Sequence, residues 1–131
     1  MRGRTHRMSA SGLLYHWAQW RHWRGKRHKD ASARILAAID VILAQAHLGP
    51  RVRVVDIGPR NDTEPALLAY HLDADVEAID LCASSARIRR GDMHALPYEA
   101  NRFDLCFISH ALEHSYDLLR VCREIARVVR P

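Results

Sequence analysis

From residue 30 onward, apolar and polar positions follow two alternating periods. Ile35, Leu36, Ile39, Ile42 and Leu43 recur at i, i+1, i+4, i+7 and i+8, the spacing that lays one helical face on a core. Asp30 stands where it can cap this helix, and Gly49-Pro50 ends it. The β-branched run at residues 52–57 predicts a strand, broken sharply by Gly58-Pro59-Arg60-Asn61. Asp62, Thr63 and Glu64 then offer caps to a short helix that begins near Pro65 and carries Leu67, Leu68 and Tyr70. Residues 76–80 (VEAID) predict a second strand and residues 86–90 a weaker third. After a loop through Gly91-Asp92 and Leu96-Pro97, residues 103–109 (FDLCFIS) form a nearly continuous apolar strand. Asp117 caps a last helix with Leu118, Val121, Cys122, Ile125 and Val129 expected inward. Strands that alternate with helices imply an α/β fold with parallel pairing and crossover connections.

Composition places limits on this picture. At 131 residues and 48% hydrophobic, the chain suits one domain with a core of its own. No apolar run approaches the roughly 20 residues that span a bilayer. Cys82, Cys106 and Cys122 are odd in number and widely spaced, so neither a disulfide framework nor a zinc ribbon is implied. A reducing, cytoplasmic compartment is the simplest expectation.

The net charge of +5 is uneven: residues 1–29 hold eight Lys/Arg and no acid, while the rest holds 12 basic and 15 acidic groups. The same arm holds Trp17, Trp20 and Trp23. It reads either as a helix whose tryptophans pack on the body or as a basic aromatic surface for RNA or an anionic membrane. An Arg-rich organellar import segment is a third reading. The organisation expected is therefore an arm over 1–29 and a folded body over 30–131.

In an open parallel sheet, ligands bind beyond the carboxyl ends of the strands. Asp56-Ile57-Gly58 closes the first strand, with a helix start just beyond. Asp80 closes the second, where an acid can accept from both ribose hydroxyls. Asp92 follows the third, in place to accept from an exocyclic amine. Each aspartate alone could equally be a cap or turn residue, but three at successive strand ends favour a ligand containing a nucleoside. The dinucleotide fingerprint G-x-G-x-x-G is absent, because residues 58–63 read GPRNDT, and no P-loop occurs.

The strings VVDIGPRND, VEAIDL, GDMHALPYEANRFDLCFISHALEH and REIARVVRP, in this order over residues 51–131, resemble the successive motifs of class I S-adenosylmethionine-dependent methyltransferases, the type 11 branch above all. The resemblance implies a Rossmann-like methyltransferase fold with an incomplete parallel sheet of order 3-2-1-4. It implies S-adenosylmethionine as cofactor, with Asp56, Gly58 and Asn61 at its methionine end and Asp80 on the ribose. Asp92 and Met93 would border the adenine, and Ser109 and His110 would lie nearest the transferred methyl. Relatives carry G-x-G-x-G where this chain keeps only Gly58.

Methyl transfer from a sulfonium is an in-line displacement that depends mainly on alignment. His110 is the candidate general base for acceptors that must lose a proton. His110-Ala111-Leu112-Glu113-His114 also spells H-x-x-E-H, but that zinc motif needs a long helix and a distant acidic ligand, so no metal is expected. The acceptor is not legible.

A rival reading is a non-catalytic, methyltransferase-like module that docks through its basic arm on RNA, a membrane surface or a protein assembly. The chain reaches Arg130-Pro131 where relatives begin the turn that leads to three further strands. The fourth strand is therefore expected to be an apolar edge, open to self-association or to a covering partner.

Overall fold

The computed structural model describes residues 31–131, and Ala18 alone before them. The basic arm, its tryptophans and the Asp30 cap lie outside the described residues. Within residues 31–131, three helices, α1 (Ser32–Gln45), α2 (Thr63–Leu72) and α3 (Leu118–Val128), accompany four strands: β1 (Val52–Ile57), β2 (Ala74–Asp80), β3 (Ile88–Arg90) and β4 (Leu105–Ile108). The strands form one sheet of order β3-β2-β1-β4, parallel at every junction.

β1 is the central strand and is apolar on both faces, as a doubly covered parallel strand requires. Its alternation divides the core. Val52 and Val54 face α1 and α2, meeting Ile35, Ile39, Leu68, Leu72 and Phe107. Val55 and Ile57 face the other way, toward Met93, Leu96, Phe103, Val121 and Val128. Each such Val or Ile contributes roughly 1.5–3 kcal/mol by leaving water. The same period of two turns Asp56 to the α1–α2 side, among apolar neighbours.

Several boundaries differ from expectation. α1 stops at Gln45, one turn before Gly49-Pro50, and Leu43 is 53% exposed. Asp62 stands at the N-cap of α2, but its side chain makes no capping bond and instead accepts from Ser85 Oγ. β2 begins two residues earlier than its pattern suggests, because β1 pairing extends to Val52↔Ala74. β4 is shorter than the apolar run at 103–109. Phe103 instead pairs with Val129 in an isolated parallel bridge, and Arg130 N donates to Phe103 O at 2.8 Å.

The phase of α3 also departs from the pattern. Asp117 Oδ1 accepts from Arg120 N at 3.0 Å, the expected cap. Val121 and Val128 are buried and Ile125 packs on the core, but Leu118 is 52% exposed and Cys122 is exposed. The first turn of α3 lies at the surface of the described residues, where Leu118 and Leu119 are more than half exposed. Among the described residues, no helix is long and apolar enough to cross a membrane.

Candidate functional site

The strand ends converge at Gly58. Its N–H donates to Ile79 O at 2.8 Å, which ties the exit of β1 to β2. Gly58 has φ +80°, and a Cβ there would stand 2.6 Å from Ala111 Cβ and 3.9 Å from Asp80 Oδ2. Only glycine fits this crossing, and its missing side chain leaves the Asp80 carboxylate facing the turn. Asp80 Oδ1 accepts from Cys82 N at 2.6 Å. Burial raises the Asp80 pKa, and the Cys82 N–H opposes that rise.

Beside this turn lies a small cleft of about 40 Å³. Gly58 and Asn61 line it from the β1 loop, Ser109 and His110 from the end of β4, and Ser32 and Arg34 from α1. Asn61 Oδ1 accepts from Thr63 N at 3.0 Å, so this side chain closes the start of α2. His110 has φ 56°, an uncommon conformation for a residue with a side chain, which aims the imidazole out of the strand line. Its Nδ1 lies 3.1 Å from Glu113 Oε1. Glu113 is held below its ordinary pKa by its own backbone N–H and by His110. Leu112–His114 form one 3₁₀ turn, so the H-x-x-E-H string lies on a strand end and a turn rather than on a helix. Among the described residues, no group of three or more His, Cys, Asp or Glu side chains is gathered as a metal site.

Asp56 does not reach the surface of the cleft. It is fully buried behind it, with neither carboxylate oxygen hydrogen-bonded within ordinary limits. Glu64, in the first turn of α2, lines the cleft in its place and is 6% exposed. The two acids face each other. Burial, then Glu64, then Asp80 push the Asp56 pKa up to about 9. Burial raises Glu64 as well, against Arg34, Arg60 and His110. The pair therefore keeps a proton near neutral pH. Sequence reasoning missed Glu64, because an acid in the first turn of a helix reads as a partner for the helix dipole.

The loop after β3 carries the other two candidates. Gly91 N donates to Asp80 O at 3.0 Å, which brings Asp92 beside the end of β2. Asp92 Oδ1 accepts from His94 N at 2.9 Å and lies 2.6 Å from His94 Nδ1, so this oxygen is committed within the loop. Met93 is 7% exposed and packs in the core under the site with Ile79 and Val55. His94 was also missed. It is buried and stacks on Tyr116, with ring centroids 3.7 Å apart. The only signal was its position two residues after Asp92, the reach of an Asx turn.

α3 grips this loop from above. Arg120 Nε donates to His94 O at 2.7 Å, and Glu124 Oε2 accepts from Leu96 N at 2.7 Å. Arg127 donates to Tyr98 O at 2.6 Å and to Leu96 O at 2.9 Å. The cleft thus opens beyond the carboxyl ends of β1 and β4, the position where parallel sheets take ligands.

Comparison with known proteins agrees with this geometry. Residues 55–131 match the family model described as a methyltransferase domain, of the type 11 branch. A malonyl-[acyl-carrier protein] O-methyltransferase from Halorhodospira halophila is 32% identical; the match covers 79% of this chain and 38% of that relative. The chain thus spans well under half the length of this curated relative. A structure assigned as an S-adenosylmethionine-dependent methyltransferase from Methanococcus maripaludis superposes with a TM-score of 0.59 at 21% identity, over 81% of this chain and 63% of that one. The [4+2]-cyclase SpnF superposes with a TM-score of 0.60 at 23% identity, over 72% of this chain and 41% of that one. These superpositions concern the fold, and a cyclase among them shows that the fold alone does not fix the reaction. The extent of the family match is decisive: the chain belongs to the type 11 methyltransferase-domain family, whose cofactor is S-adenosylmethionine.

Proposed function

We propose that the chain is the cofactor-binding half of an enzyme that transfers a methyl group from S-adenosylmethionine to an acceptor. One observation carries this reading: the Asp80 carboxylate faces the Gly58 turn, with one oxygen held by Cys82 N–H. A turn without a side chain beside an oriented acid is what a ribose needs to lie flat and be gripped by both hydroxyls. The residues present therefore fit the cofactor.

When bound, S-adenosylmethionine supplies an electrophilic methyl on a sulfonium. The chain's own residues do the rest. Asp80 orients the ribose, and the loop at Asp92 and Met93 borders the base. Ser109 and His110 lie where the acceptor must approach, and the cleft replaces water around it. His110, backed by Glu113, accepts a proton when the acceptor carries one.

The open side of β4 is the proposed place for self-association or a covering partner. The three free thiols support a reducing compartment.

The test is binding linkage. S-adenosylmethionine or S-adenosylhomocysteine in excess raises Tm of the chain, and Asp80→Ala removes the rise. No rise at millimolar ligand would refute the reading.

A further inference from the structure

The sheet carries a second concave surface at its opposite end. At the amino ends of β1 and β4 lies an open basin of about 570 Å³, which shares no lining residue with the cleft at Gly58. The six residues of β1, at roughly 3.3 Å each, set the two about 20 Å apart. His47 and Arg51 line the basin from the connection between α1 and β1, Arg53 from β1, Asp104 from just before β4, and Arg130 from just after α3. Backbone bonds fix this frame. Arg53 N donates to Asp104 Oδ2 at 2.8 Å, Asp104 N to Arg53 O at 2.8 Å, and Arg130 N to Phe103 O at 2.8 Å. Asp104, whose side chain is 15% exposed, ion-pairs with the Arg130 guanidinium and, at 3.8 Å, with that of Arg53. Each guanidinium has five N–H donors, so one shared carboxylate leaves most of them to other acceptors. Arg51 closes no salt bridge with another described residue and holds φ 59°, a left-handed conformation that costs stability in a residue with a side chain. Asp73 and Asp75 stand at the same end of the sheet, but neither lines the basin.

Three guanidinium groups and one carboxylate leave the basin a charge of +2 before His47 is counted. A lone carboxylate or a phosphodiester carries one negative charge and would leave a cation uncompensated. A phosphate monoester carries about −1.5 to −2 near pH 7 and balances the count. Its oxygens also suit the parallel N–H donors of a guanidinium. We propose that this basin is a binding site for a small ligand bearing a dianionic phosphoryl group. Arg51 and Arg130 grip it from the rim, and Arg53, fixed by Asp104, lies beneath. Glycine would hold φ 59° without strain, so the arginine there trades stability for a guanidinium at the rim. The basin lies at the end of the sheet away from Ser109 and His110, so the phosphoryl group is an anchor or effector and not a reactant. The site does not depend on the cofactor reading.

The experiment titrates the full chain with two probes at constant ionic strength, by calorimetry and by amide chemical shifts. Phenyl phosphate is a dianion; dimethyl phosphate carries the same group with one charge. Phenyl phosphate binds in the millimolar range or tighter and shifts the amides of Arg51, Arg53 and Asp104. Dimethyl phosphate binds at least about tenfold more weakly, the scale of one charge-assisted contact. Arg51→Gly and Arg130→Ala each weaken phenyl phosphate severalfold. In Arg51→Gly the Tm stays level or rises, because glycine relaxes the left-handed position, so its loss of binding is not a loss of fold. 5′-Methylthioadenosine, which carries the nucleoside and thioether of the cofactor but no phosphate, reads the other end of the sheet, and its affinity is the same with and without phenyl phosphate. No shift at the three amides with millimolar phenyl phosphate, equal affinity for the two probes, or affinity that survives both substitutions overturns the site. An oligoribonucleotide that binds where phenyl phosphate does not also overturns it, in favour of a nucleic-acid backbone. Failure of 5′-methylthioadenosine alone counts against the cofactor reading and leaves the basin standing.

Discussion

Asp56 is fully buried, faces a second acid and has no hydrogen-bond partner on either oxygen, so its protonation is tied to folding. Its pKa rises from 3.8 to about 9. Between those values the folded chain holds a proton that the unfolded chain has released, so stability falls as pH rises. The limit for one proton is about 1.4 kcal/mol per pH unit. Urea unfolding at pH 5, 6, 7 and 8 will show stability declining across the series, and Asp56→Asn will flatten the decline. Equal slopes in the two proteins would mean that Asp56 is charged when folded.

Gly58 supports a second prediction at the same scale. Gly58→Ala puts a methyl at φ +80° and against Ala111 Cβ, at a cost of about 1–3 kcal/mol. Tm will fall and the approach to the Asp80 carboxylate across the turn will be crowded, which calorimetry with 5′-methylthioadenosine reads directly. Gly58 and Asp80 were legible in the sequence because a strand end followed by a turn fixes their place without tertiary detail. Glu64 and His94 were not, because their burial depends on which faces of α2 and of the loop after β3 meet the sheet.

α3 acts as a whole on the loop that carries Asp92. Arg120, Glu124 and Arg127 lie along one face of the helix and bind four backbone groups of residues 94–98. Arg127→Ala leaves the carbonyls of Leu96 and Tyr98 without their donor, a loss of about 1–3 kcal/mol. Hydrogen exchange at residues 92–98 will quicken, and Arg127→Lys will not restore protection, because an ammonium cannot span both carbonyls as the guanidinium does. Unchanged exchange in Arg127→Ala would show that the loop holds itself. This grip also explains the misjudged phase of α3. Counting apolar residues favours Leu118 and Cys122, whereas charged side chains fix the helix by bonding backbone, and no hydrophobic period records that. The strands, by contrast, were legible nearly to the residue in β1, where both faces are apolar and any slip exposes a Val or Ile.

The whole molecule is a sheet with unequal edges. β3 is three residues long and exposes Arg89 and Arg90, a charged edge that discourages pairing. β4 pairs with β1 on one side, and on the other only Phe103, before the strand begins, meets a described residue, Val129. Leu105, Cys106 and Ile108 are only partly buried, so among the described residues this side is apolar as well as unpaired. The segment that follows exposes Leu112, Leu118 and Leu119 at 36%, 52% and 60%. An unpaired apolar edge beside exposed leucines is a template for another strand. The chain by itself is therefore expected to associate through β4, with its mass in light scattering rising from the low micromolar range upward. Amide protection at residues 105–108 should rise in step, while β3 stays unchanged. Leu118→Glu with Leu119→Lys should lower the association and leave 5′-methylthioadenosine binding intact, since neither residue lines the cleft. A monomer at every concentration, with β4 amides exchanging freely, would show that twist and the Phe103–Val129 bridge are enough to guard this edge.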